Sequence, residues 1–336
     1  MPVSKVGIAL AGCGYWGKNL ARNLHQMGHL VAVADPDPKV LQQVKASHRG
    51  VRAVKSYKSL LDDTKVKAVA LASPAAQHYE MAKAALLAGK DVYVEKPLAL
   101  KVPEAEELVA LAARKKRILM VGHILEYHPA VRKLKEIVDA GDLGEIHYLY
   151  SNRVNLGKIR HEENILWSFA PHDISVILLL LGVLPEWATT SGQHYLQHEI
   201  ADVTMTCLGF PGKPRAHIFV SWLHPFKEQK LVVIGSKKMA VFDDVVKDGK
   251  LKLYDKGVDW KDGRPIIRQT AESTLFFPEM EPLKEELAHF VDCVRTRKTP
   301  RTDGQNGVRV LRVLDACQRS LESGGAPVRL GKGRKR

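Results

Sequence analysis

Three groups in this 336-residue chain have residue types and spacing that could do chemistry. The first is Lys96, in Asp91-Val92-Tyr93-Val94-Glu95-Lys96-Pro97. Val92 and Val94 alternate with Tyr93, which suits a pleated strand. Pro97 fixes φ and ends it, so Lys96 is held at a corner. Open α/β sheets bind ligands beyond the carboxyl ends of their strands, which is where this lysine stands. The second group is the loop Gly12-Cys13-Gly14-Tyr15-Trp16-Gly17. It follows the apolar run Val6-Gly7-Ile8-Ala9-Leu10 and precedes Leu20, Ala21 and Leu24 at helical spacing. A G-x-G-x-x-G between a strand and a helix is the context of a dinucleotide pyrophosphate cradle. The first glycine makes the turn, the second admits the phosphates, and the third lets the helix pack close, its N-terminus aimed at the anion.

The third group is His172, in Asn164-Ile165-Leu166-Trp167-Ser168-Phe169-Ala170-Pro171-His172-Asp173. The pattern predicts a helix from about Pro171 to Leu181, with His172 in its first turn. The positive end of a helix dipole disfavours imidazolium, so a neutral histidine able to take a proton near pH 7 is expected there.

These groups need elements to hold them. Leu30 to Ala34 reads as a second strand ending at Asp35. Its distance from the glycine loop suits an acid that accepts hydrogen bonds from ribose hydroxyls. A carboxylate there repels a 2′-phosphate, so NAD is expected over NADP. Val66 to Ala72 is a buried strand closed by Ser73-Pro74, and a helix runs from His78 to Leu87, capped by Gly89. A further helix opens at Pro103, and Ile118 to Val121 closes the alternation. The expected fold is therefore α/β: a doubly wound parallel sheet over residues 1–122, then an α+β domain over 123–330 with a large open, mostly antiparallel sheet. Strands are expected at 146–154, 186–195, 202–210, 215–223, 230–235, 239–243 and 250–254, with helices at 281–296 and 305–322. The basic tail, residues 331–336, completes the chain.

Composition narrows the class. Lys+Arg number 51 against 37 Asp+Glu, a net +14 that favours anionic partners such as phosphorylated small molecules. These charges are scattered, which argues against nucleic acid. The four cysteines, Cys13, Cys207, Cys293 and Cys317, form no C-x-x-C pair, so neither a disulfide framework nor a metal site is expected. Ile174 to Leu181 is too short to span a bilayer, and the first apolar run leads into the glycine loop rather than a cleavage site. A cytoplasmic protein with no membrane partner is expected.

In order, the glycine loop, Asp35, Glu95-Lys96-Pro97 and His172 resemble the Gfo/Idh/MocA oxidoreductases. The resemblance covers essentially the whole chain and implies a Rossmann domain, a second domain with an open sheet, and an active site between them. It implies Lys96 and His172 as catalytic residues, and Pro97 after a cis bond. Candidate cofactor contacts are Gly12, Gly14, Tyr15, Trp16, Gly17, Asp35, Ser73, Pro74, His78, Glu95 and Lys96. Candidate substrate contacts are Tyr127, Asn152, Arg153, Trp167, Ser168 and Asp173. Many relatives carry Asp one helical turn before the catalytic His, where this chain has Ser168. The Leu-Trp-x-x-Ala-Pro-His-Asp pattern resembles members acting on nucleotide-linked sugars such as UDP-N-acetylglucosaminuronate at carbon 3. An inositol or free-pyranoside dehydrogenase is the alternative within the class, and a non-catalytic NAD-binding regulator the alternative outside it. The family's habit implies a homodimer or homotetramer through the open sheet.

Overall fold

The computed structural model describes residues 5–212 and 214–331. Their contacts divide the chain into two units, one running to Tyr127 and resuming at Met280–Leu311, the other comprising His128–Glu279 and the segment from Arg312.

In the first unit, β1 (Ile8–Ala11), α1 (Gly17–Gln26), β2 (Leu30–Ala34), α2 (Pro38–Ser47), β3 (Arg52–Val54), α3 (Lys58–Leu61), β4 (Ala68–Leu71), α4 (His78–Leu87), β5 (Asp91–Glu95), α5 (Val102–Lys115) and β6 (Leu119–Gly122) follow one another. The strands pair in parallel in the order β3-β2-β1-β4-β5-β6. β1, β4 and most of β5 are buried on both faces, as near-continuous apolar runs require. The order reverses between β1 and β4, the switch point at which such sheets bind ligands.

The second unit opens with α6 (Pro129–Asp139), β7 (Ile146–Val154) and α7 (Ile165–Leu181). The strands β8 (Trp187–Gln193), β9 (Val203–Gly209), β10 (Arg215–Ser221), β11 (Glu228–Gly235), β12 (Met239–Asp243), β13 (Leu251–Lys261) and β14 (Arg264–Thr274) follow. Then come α8 (Pro282–Thr296), α9 (Gly304–Glu322) and the short β15 (Val328–Arg329). The sheet has nine strands in the order β14-β13-β12-β11-β7-β10-β9-β8-β15, and only the β7–β10 pair is parallel. α7 covers β7, β9 and β10. Beneath it lie Leu149, Ser151 and Arg153 of β7 and Ala216, Ile218 and Val220 of β10, in register. On the other face, Tyr148 of β7 and Met205 of β9 point outward and are exposed.

Both expected sheets are present, and the expected segmentation and the packing differ. Residues 280–311 join the first unit because Leu283, Leu287 and Phe290 of α8 complete the apolar cluster around Leu10 and Tyr93. β14 was not anticipated and β13 runs on to Lys261, because little of this hairpin is buried and it shows no apolar face; its turn is Asp262-Gly263, both at positive φ. α2, β3 and α3 were also unassigned. Lys332 to Arg336, the bulk of the basic tail, lie outside the described residues.

Candidate active site

The glycine loop has the shape that a dinucleotide needs. A Cβ on Gly12 would stand 2.7 Å from the Ala72 carbonyl carbon and oxygen, and its φ of +86° is one that L side chains rarely adopt. A Cβ on Gly17 would stand 2.1 Å from the Gly12 carbonyl oxygen, so α1 packs against β1 only with glycine there. Gly14 is different: nothing lies within 4 Å of where its Cβ would be. Space beside Gly14, at the N-terminus of α1, is what a pyrophosphate requires. Asp35 stands beside this loop. Its Oδ2 accepts from the Cys13 N–H at 2.8 Å and its Oδ1 from the Asp37 N–H at 2.9 Å. Burial, then the Asp35 charge, pushes the Cys13 thiol up to about 11, so that sulfur stays protonated.

β5 delivers Lys96 to the carboxyl edge of the same sheet, half-buried, with a cis bond between Lys96 and Pro97. Two side chains fix the neighbouring backbone. The buried His78 ring has Nδ1 2.7 Å from the Pro97 carbonyl oxygen and Nε2 2.9 Å from that of Ser73. It clasps the loops after β4 and β5. Burial holds its pKa below the usual value, with Lys96 adding to the effect. Glu95 accepts from the Trp16 indole N–H at 2.7 Å, joining the glycine loop to β5. Tyr15 is largely exposed on the same loop.

In the second unit, α7 begins at Ile165, not Pro171. Its N-cap is Asn164, whose side chain accepts from the Trp167 N–H at 3.2 Å. Pro171 lies inside the helix, and His172 is well past the first turn. This corrects the expectation from the dipole, whose influence fades beyond the first turn. A proline after a polar stretch mimics a helix start, and the cap seven residues earlier outranks it. Ser168 is buried one turn before His172, as its spacing requires.

The six substrate candidates do not form one set. Arg153 and Asp173 are buried against each other, Nε to Oδ2 at 3.0 Å and Nη2 to Oδ1 at 3.1 Å, and the Ser151 hydroxyl donates to Asp173 at 2.6 Å. Asn152 faces the opposite side of the sheet, because successive strand residues alternate, and donates to Glu228 at 2.7 Å. Tyr127 is buried in the first unit's core, its hydroxyl 3.2 Å from that of Thr302. Burial and pairing thus turn Tyr127, Arg153 and Asp173 into structural contacts. Trp167 is half-buried and its indole N–H donates to Gln318 at 2.9 Å. Gln318, which also takes the Asn164 side-chain N–H at 3.0 Å, had no sequence signal because it lies about 150 residues away. Among the described residues no His/Cys/Asp/Glu group could hold a metal, and no helix is long and apolar enough to cross a membrane.

Comparison with known proteins agrees with this geometry. Residues 6–123 match the family profile described as "Oxidoreductase family, NAD-binding Rossmann fold", and residues 131–241 match the "GFO/IDH/MocA C-terminal domain". The chain belongs to the Gfo/Idh/MocA oxidoreductase family. A curated Gfo/Idh/MocA relative, UDP-N-acetylglucosamine 3-dehydrogenase of Acidithiobacillus ferrooxidans, is 26% identical over 89% of this chain and 92% of its own. Myo-inositol 2-dehydrogenase of Thermotoga maritima is likewise 26% identical, over 94% and 96%. The WlbA dehydrogenase of Bordetella pertussis, solved in complex with NADH and UDP-GlcNAcA, shares the fold with a TM-score of 0.79 at 22% identity, covering 98% of this chain and 100% of that one. Membership of Gfo/Idh/MocA makes the first unit an NAD-binding Rossmann domain and the chain an oxidoreductase.

Proposed function

We propose that this chain is an NAD-dependent dehydrogenase acting on a secondary alcohol of a nucleotide-linked sugar, at carbon 3. The observation that supports it most is Lys96 at the carboxyl edge of the sheet that carries the Gly14 space. The bound dinucleotide supplies the hydride chemistry. Gly12, Gly14 and Gly17 hold its pyrophosphate, and the Asp35 carboxylate, with lone pairs left beyond its two backbone contacts, accepts from the ribose hydroxyls. Lys96 stabilises the alkoxide that develops as the carbinol carbon loses hydride. His172 takes the hydroxyl proton. Its placement in the body of α7 removes the dipole as a reason for its neutrality.

The nucleotide-sugar reading rests on the 3-dehydrogenase relative and on the net charge of +14, which suits a diphosphate. The inositol dehydrogenase relative keeps a cyclitol as the second reading. For assembly we take the outward sheet face, with its exposed Tyr148 and Met205, as a homodimer or homotetramer surface. Light scattering that returns the monomer mass would reject that.

The deciding experiment follows NADH absorbance with purified protein, NAD⁺ or NADP⁺, and UDP-N-acetylglucosaminuronate, UDP-N-acetylglucosamine, myo-inositol or glucose. Reduction of NAD⁺ by a UDP-sugar alone is the expected result. Reduction by myo-inositol or glucose alone replaces it with the second reading. Dinucleotide binding without turnover, repeated with a 2-oxo acid to reoxidise retained NADH, would make the chain a non-catalytic regulator.

A further inference from the structure

One buried contact in the first unit allows its protons to be counted. The Tyr93 hydroxyl lies 3.0 Å from Glu95 Oε1 and 3.0 Å from Glu286 Oε2. A phenol has a single proton to donate, so it cannot serve two carboxylates at once. One of the two carboxyl groups must bring its own proton and donate to the phenol oxygen.

The surroundings decide which one. Glu95 Oε1 also accepts from the Trp16 indole at 2.7 Å, and Lys96 is its neighbour in sequence. Burial raises the Glu95 carboxyl too, but the Trp16 and Tyr93 donors and the Lys96 charge oppose it, and two donors with a nearby cation favour the anion at Glu95 over Glu286. Glu286 is fully buried on α8, and the titratable groups facing it are Tyr93 and Glu95 on β5 and Glu126 and Tyr127 in the turn after β6. None of these is a cation. Burial pushes the Glu286 carboxyl well above the usual range, and the Glu95 charge pushes it further. The backbone makes room for the arrangement at Gly122, where a Cβ would stand 2.6 Å from the Tyr93 hydroxyl and 3.0 Å from Glu95 Oε2.

We propose that Glu286 is an uncharged carboxylic acid and a positioning residue: it donates to Tyr93, Tyr93 donates to Glu95, and Glu95 is thereby held to receive the Trp16 indole, tying the glycine loop to the strand that carries Lys96. The proton count stands on the chain's own geometry; only the consequence for dinucleotide binding and turnover rests on the dehydrogenase reading.

The test has two arms on the full chain. The first is difference infrared spectroscopy at neutral pH, wild type against Glu286→Gln. A protonated-carboxyl C=O band of the wild type that does not cancel against this variant is expected in the difference spectrum, the Glu126 contribution being common to both. The second is NADH affinity by fluorescence titration for Glu286→Gln, Glu286→Leu and Tyr93→Phe. The Gln amide N–H can donate to Tyr93 as the acid does, so its affinity is expected within about twofold of wild type. Tyr93→Phe takes a donor from a buried carboxylate and is expected to weaken NADH about tenfold. Glu286→Leu, which keeps the volume but not the donor, should fall between the two. A merely space-filling Glu286 would make Leu at least as good as Gln, and that ordering would overturn the proposal. So would the absence of the band from the difference spectrum, a result available even if the Leu variant does not fold. Sugar oxidation without the band would reject this proposal and leave the dehydrogenase reading standing. The band and the affinity order without oxidation of any sugar would do the reverse.

Discussion

At Asp35 a side chain stands fixed beside the glycine loop. Both carboxylate oxygens accept backbone N–H groups, from Cys13 and Asp37, so the carboxylate is oriented at the glycine loop. A dinucleotide 2′-phosphate would meet that charge, and like-charge juxtaposition costs several kcal/mol. Asp35→Ser keeps a neutral acceptor and removes the repulsion. The kcat/KM ratio for NAD⁺ over NADP⁺ should therefore fall by at least about tenfold; an unchanged ratio would remove Asp35 as the discriminator. Lys96 is tested separately. Lys96→Ala should lower kcat by about a hundredfold or more if it stabilises the alkoxide, while NADH still titrates. Near wild-type turnover in that variant would sink the assignment.

At the level of the element, α7 shows what a sequence can and cannot disclose. The glycine loop, Asp35 and the strand of Lys96 were legible because each depends on its own neighbours: a tight turn, a strand end, a proline stop. Ser168, one turn before His172, was expected from the family pattern alone, because the expected helix began only at Pro171. The start of α7 was misread because Pro171 is a strong local signal, whereas Asn164 caps the helix in concert with Gln318 from α9. Arg153 and Asp173 were candidate substrate contacts by position, and tertiary packing pairs them under the helix. That pairing predicts a stability effect. Arg153→Met leaves the Asp173 carboxylate buried without its cation, a loss of about 3–5 kcal/mol. Replacing Asp173 by Asn in the same chain removes the stranded charge and should restore part of this. Denaturant unfolding of both variants measures it; equal loss in the two would show that packing, not charge, is responsible.

Across the whole molecule, burial displaces groups in both units, His217 and Cys317 in the second and His123 and Glu126 in the first. In the second, the buried pair Arg153–Asp173 is self-neutralising. Burial would raise Asp244 there, yet hydrogen bonds from His128 and Lys250 bring it down to about 2. In the first, neither His123 ring nitrogen has a hydrogen-bond partner among the described residues. Burial, then Lys96, pulls its pKa to about 3 from 6.5. Burial pushes Glu126 from 4.5 to about 8, against the hydrogen bond from Asn306. The two should therefore limit stability from opposite sides. Glu126 binds a proton in the folded state that the unfolded chain releases near pH 4.5, so the stability it contributes is lost as pH rises through about 8. His123 stays neutral while the unfolded chain takes up a proton below pH 6.5, so stability is lost as pH falls from there towards about 3. Glu126→Gln keeps an acceptor for Asn306 and cannot ionise. Its unfolding free energy relative to wild type should climb between pH 4.5 and about 8 and then level off. His123→Leu should gain on wild type over the acid range instead. Urea unfolding of the three chains across this range reads both slopes directly, and a Glu126→Gln curve parallel to wild type would mean that Glu126 is ionised in the folded protein at neutral pH.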